Sequence, residues 1–149
     1  MKPFKYILTA ALLASTFVFT GLSAKNKMVP QMYMFGFSAS FTDSVVYFTN
    51  IQTVDKAWID SKSKFLLGRD NYSYQLKNYF ANAKGMPDRT CIVVYSLKRK
   101  KLEEKLMKMK RKYTVKAKTP FDVRYLSDDE FKFKAIDMTP YNEDGTEAK

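Results

Sequence analysis

Residues Cys91–Tyr95 (CIVVY) form an unbroken apolar run between two stretches of helical periodicity, and this arrangement constrains the fold most. A short apolar run bounded by polar residues suits a strand covered on both faces, so it predicts a central strand with Cys91 as a small buried hydrophobe. Before it, Tyr72, Leu76, Tyr79, Phe80 and Ala83 share one face of a helix. Asp70 or Asn71 is the expected N-cap, and Gly85 and Pro87 supply the stop. After it, Leu102, Leu106, Met109 and Tyr113 form a narrow apolar stripe on an otherwise charged helix over 98–113.

Strands flank this centre. Gln31–Ala39 alternates, with Gly36 marking a bulge or a close backbone approach. Val45–Ile51 is β-branched and aromatic, and the polar Phe41–Ser44 segment makes the two a hairpin. Gln52–Gly68 reads equally as helix, strand or loop. Phe121–Leu126 and Phe131–Ile136 read as two closing strands. Between them, Ser127 and Glu130 have capping-box spacing, but the period-two run after them favours a hairpin turn. The expected fold is α+β: a small, mainly antiparallel sheet in the order β-β-α-β-α-β-β, with two amphipathic helices packed on one face.

Residues 1–24 have the layout of a cleaved signal peptide. Lys2 and Lys5 precede an apolar span of about 15 residues, shorter than the roughly 20 of a membrane-spanning helix, and small residues follow to Ala24. Cleavage after Ala24 leaves a single domain over 25–136, a polar tail over 137–149 expected to fray, and no membrane span. The expected location is outside the cytoplasm: periplasm, outer envelope or beyond. The leader, the absence of His and the many Lys, Phe and Tyr together resemble short envelope proteins of Bacteroidota. No residue's role is taken from that resemblance.

Charge is concentrated in one place. Residues 98–118 hold eleven basic side chains against Glu103 and Glu104, whereas the rest of 25–149 is balanced. Lys101, Lys105, Lys108 and Lys112 line one side of the second helix, with Arg111 beside them. Such like-charge neighbours repel by a few tenths of a kcal/mol per pair, so they either form a solvated face or meet a polyanion. Nucleic acid is disfavoured. The leader directs the chain away from it, Lys outnumbers Arg nine to two in 98–118, and no aromatics interleave the basic positions as stacking platforms. The expected partner is an acidic envelope polymer, a lipid head group or an acidic protein.

With no His and one Cys, the chain excludes Ser-His-Asp triads, Cys-His dyads, His-ligated zinc, disulfides and Cys-only metal clusters. It offers no glycine-rich phosphate loop, and no cofactor or metal is expected. The carboxylates are scattered among turn-forming residues. A second possible ligand surface is the polar-aromatic group Trp58, Arg69, Asp70, Asn71 and Tyr74, although the same residues also fit core and cap roles. The leading expectation is a non-enzymatic binding or assembly module that presents 98–118 to an acidic surface. The alternative is a small carboxylate-based hydrolase of envelope glycans or peptides.

Overall fold

A fourteen-residue strand, β1 (Asn26–Ala39), runs through the middle of a mixed five-stranded sheet. The structure, a computed structural model, describes residues 26–140; the leader expected at 1–24 and the end of the tail lie outside the described residues. After β1 come β2 (Val45–Thr49), β3 (Gln52–Asp60), α1 (Arg69–Ala83), β4 (Thr90–Ser96), α2 (Arg99–Tyr113) and β5 (Asp122–Leu126). β2 and β3 lie end to end along one edge of β1, both antiparallel to it. Phe37 pairs with Phe48 and Met34 with Gln52, so three steps on β1 match four on its partner. Asn50 and Ile51 absorb the extra residue, as in a bulge. β4 takes the other edge of β1, from Tyr33 opposite Ser96 to Ala39 opposite Thr90. β5 pairs outside β2 and parallel to it.

The alternation along β1 divides the core. Met32 and Met34 join Tyr72, Leu76 and Phe80 of α1, whereas Phe35 and Phe37 join Val46, Phe48 and Leu102 of α2. The helices therefore cover opposite faces, which corrects the expectation that both pack on one. Topology explains the difference. α1 links β3 to β4 past β1, and α2 links β4 to β5 past β1 and β2, so each crossover has a face to itself.

Further differences have local causes. The unassigned 52–68 stretch contains β3, followed by a tight turn that returns Leu66 to pair with Ile59. In that turn the Asp60 carboxylate accepts from the backbone N–H groups of Lys62 and Ser63, and the bond from Ser63 holds its pKa below the usual carboxylate range. α1 starts at Arg69, one residue before the expected cap. Gly68, with φ +70°, occupies the cap position without a side-chain bond. β4 is apolar as expected but only partly covered, with Val93 buried, Cys91 half-buried and Ile92 exposed. It lies at an edge of the sheet because β1 is its only partner among the described residues.

Phe131–Ile136 is not a strand, although Phe131 and Phe133 are buried and Lys132 and Lys134 exposed. Its backbone bonds to side chains. Gln52 accepts from Phe133 N–H (2.8 Å) and donates to Phe131 C=O (2.9 Å). Gln75 brackets Lys134 in the same way, and the Tyr72 hydroxyl accepts from Ile136 N–H. Ser127–Glu130 forms one turn, with the Glu130 carboxylate accepting from Ser127 N–H at 2.9 Å, the capping-box contact rather than a hairpin.

Arg89, which no periodicity singled out, is 2% exposed. Its guanidinium donates to the Ser38 hydroxyl at 2.9 Å and to the backbone carbonyl of Val45, pairs with Asp43 at 3.3 Å, and lies over the Tyr47 ring. It joins the start of β4 to both ends of the β1–β2 connection. Arg suits this position because its planar fork has enough donors to satisfy several acceptors at once.

Two substitutions test the packing. Leu102 is fully buried and Leu106 only half-buried, so Leu102→Ala is expected to cost about 2–5 kcal/mol in urea unfolding and Leu106→Ala distinctly less. A Cβ on Gly36 would stand 2.5 Å from Leu76 Cδ2 and 3.2 Å from Phe133 Cζ. Gly36→Ala therefore overpacks this close approach and should destabilise by roughly 1–3 kcal/mol.

Candidate functional site

The lysine helix presents its charge as designed by its period. Leu102, Leu106, Met109 and Tyr113 face the sheet, and Lys101, Lys105, Lys108, Arg111 and Lys112 are all exposed. The fold then divides these cations. Lys101 and Lys105, with Lys98, form one wall of a cleft of about 540 Å³ beside the C-terminal half of β4. The opposite wall comes from the β3 turn and the start of α1, which contribute Lys64, Phe65 and Arg69. Five cations from three parts of the chain thus surround one cleft, and no acidic side chain lines it. Tyr95, Ser96 and Leu97 line it along the side of β4 that has no strand partner among the described residues.

Lys108 and Arg111 face elsewhere. With Lys100, Lys110 and Lys116 they rim a groove of about 940 Å³ that also contains Met107, Val115 and Tyr125. Glu103 and Glu104 line this groove too, and Glu103 pairs with Arg99 at 3.1 Å. The Lys110 ammonium stands 4.5 Å from the Tyr125 ring centroid, and burial pushes its pKa down. The groove is larger than the cleft, but its charge is mixed and one of its lysines is already stacked.

The polar-aromatic group is also divided. Arg69, Asp70 and Tyr74 line a cavity of about 460 Å³ between α1 and β4, and Arg69 and Val93 line both this cavity and the cleft. Asn71 is exposed on the same first turn of α1. Trp58 is half-buried on β3 and lines a separate, smaller cavity with Met28 and Ile136. Lys98 enters the cleft from the start of the basic run, although it stands outside the lysine stripe, and Lys64 carried no sequence signal, because only the β3 turn brings it opposite α2.

Several carboxylates are engaged locally, whereas Asp55, Asp70, Asp88, Glu104, Asp128 and Asp129 make no side-chain bond among the described residues. Asp43 pairs with Arg89, Asp60 closes its turn, Asp122 pairs with Arg124, and Glu130 bonds Ser127 and Lys84. Among the described residues, no three His, Cys, Asp or Glu side chains cluster as metal ligands would, and no helix is long and apolar enough to cross a membrane.

Comparison with known proteins gives no relative: no protein-family model, curated protein or solved structure matches the chain. The site is therefore read from its own geometry.

Cys91 lines the cavity beside α1, half-buried, with its thiol 3.4 Å from the Ser38 hydroxyl. Burial pushes its pKa up, outweighing the lowering by Ser38 and Arg89, so the reactive thiolate is scarcer than in an exposed thiol. Labelling by a thiol reagent at pH 8 is expected to run at least several-fold slower in native than in urea-unfolded protein. The native rate should climb as pH rises toward the elevated pKa.

Proposed function

We propose that this protein is an exported, non-enzymatic binding or envelope-assembly module that captures an acidic ligand in the cleft between α2, β4 and the β3 turn. One observation carries the reading: Lys64, Arg69, Lys98, Lys101 and Lys105 surround a single cleft with no carboxylate among them. Surface cations usually stand interspersed with acids, whereas convergent like charge costs folding free energy and raises the local concentration of counter-charged ligands. The absence of any carboxylate from the lining of this cleft favours binding over acid–base chemistry there, since a general acid or base must stand within reach of the substrate. The export part of the proposal rests on the sequence pattern of residues 1–24.

The reading makes the two ends of the lysine stripe unequal. The triple substitution Lys98→Gln, Lys101→Gln and Lys105→Gln should weaken binding to poly-L-glutamate and to polyphosphate, and flatten its dependence on salt, because fewer counterions are released on contact. The double substitution Lys108→Gln and Lys112→Gln should have a smaller effect on both. Stability should stay within about 1 kcal/mol in each variant, since Gln and Lys have similar helix propensity and repulsion is relieved. Binding titrations over a range of salt read all of this directly. Equal affinity and slope for wild type and the triple variant would make the cleft cations a solvated face only.

A further inference from the structure

Among the described residues the sheet has four outer edges, and they are guarded differently. One is Asn26–Met32 of β1, which runs past the end of β4 and carries Lys27 and Pro30. Beside β3, the chain returns and pairs Leu66 with Ile59. β5 carries the ion pair of Asp122 and Arg124 along its five residues, charge of the kind that discourages pairing with another chain. β4 has none of these protections. Its seven residues, TCIVVYS, include no charge and no Pro, and its outer side has no strand partner among the described residues. Exposed apolar side chains flank it: Ile92 and Leu97 are each 42% exposed, and Phe65 and Tyr74 each 62%. An edge with free N–H and C=O groups and apolar flanks is a template for another extended chain.

We propose that β4 accepts an added strand, and that the strand is an extended polypeptide segment rich in acidic side chains. The inference rests on the acidic-ligand reading above and names the class of ligand. Charge selects the occupant. On the α2 side the edge is bordered by Lys98, Lys101 and Lys105, and on the α1 side by Arg69 and Lys77, with Asp70 the one acid among them. Side chains of an added strand alternate between the two faces, so acidic residues on either face meet cations. A second copy of this chain is disfavoured at the same edge, because it would bring its own cations against these. A lipid surface or polyphosphate would satisfy the charges but leave the backbone groups of β4 without new partners.

The test uses the full chain with a ten-residue peptide of alternating glutamate and valine, the same peptide N-methylated at every residue, polyphosphate, and vesicles of phosphatidylglycerol and phosphatidylcholine. Hydrogen exchange is followed at each amide of 90–97, with affinity measured in parallel. The expected result is at least tenfold slower exchange at alternate β4 amides with the unmethylated peptide, and at least tenfold weaker binding of the methylated peptide despite its identical charge. Polyphosphate should bind without protecting β4. Equal binding of the two peptides, or a bound peptide that leaves β4 exchange unchanged, would overturn strand addition while leaving the acidic-ligand reading intact. Binding of vesicles but neither peptide would overturn it in favour of a lipid surface. Protection of β4 that grows with protein concentration alone, together with a dimer in sedimentation velocity, would assign the edge to a second copy and also overturn it. Failure of every probe to bind would remove the acidic-ligand reading and this inference together.

Discussion

The pleat of β1 is the constraint on which the rest depends. Adjacent residues of a strand point to opposite faces, so Met32, Met34 and Gly36 meet α1 while Tyr33, Phe35 and Phe37 meet α2. A slip of one residue would exchange the two sets, placing bulky rings where Leu76 already crowds the backbone of Gly36. The division is maintained where regular pleating would break it. Val29 belongs to the same core as Met32, and Ala57 to the same core as Val54, so both strands change face across one short stretch. Pro30 lies in that stretch on β1, and on β3 Lys56 takes a left-handed φ of +56°. Both partners change face over the same residues, and the register continues unchanged beyond them.

How much of this was legible in the sequence depended on which physical quantity each pattern reports. The CIVVY run reported correctly that β4 is apolar on both faces. An apolar run does not imply a paired edge, however, and β4 lies at the rim of the sheet, where the helices on the two faces cover it only in part and bury Val93 alone. The FKFK alternation likewise reported one buried side, since Phe131 and Phe133 do enter the core. It could not report the bonding, because the partners are the side chains of Gln52, Gln75 and Tyr72, which lie more than fifty residues away in the chain. The residues on each helix face and the limits of α2 were legible because each is set by neighbours within a few turns. Gly36 was legible only as a missing side chain, since the groups that crowd it, Leu76 and Phe133, are distant in sequence.

The candidate site was half legible for the same reason. The lysine period placed Lys101 and Lys105 correctly on the exposed side of α2. That they face Lys64 and Arg69, and that Lys108 turns toward a different groove, follows from crossovers that local spacing does not record. Arg89 had no pattern at all. It is one basic residue in a basic chain, and its burial is intelligible only once Ser38, Asp43 and Val45 are brought around it.

The attachment of residues 131–136 by side chains has a consequence for the order in which the molecule comes apart. Ladder bonds are lost together, because each strand is held by its neighbour. The bonds to this segment end on separate side chains of β3 and α1, so it can detach while every strand pairing stays closed. Its opening is opposed by a few amide and hydroxyl contacts and by the burial of Phe131, Phe133 and Ile136, and by no ladder bond. Release of this segment breaks no strand pairing and would leave a trough floored by Tyr72 and Leu76.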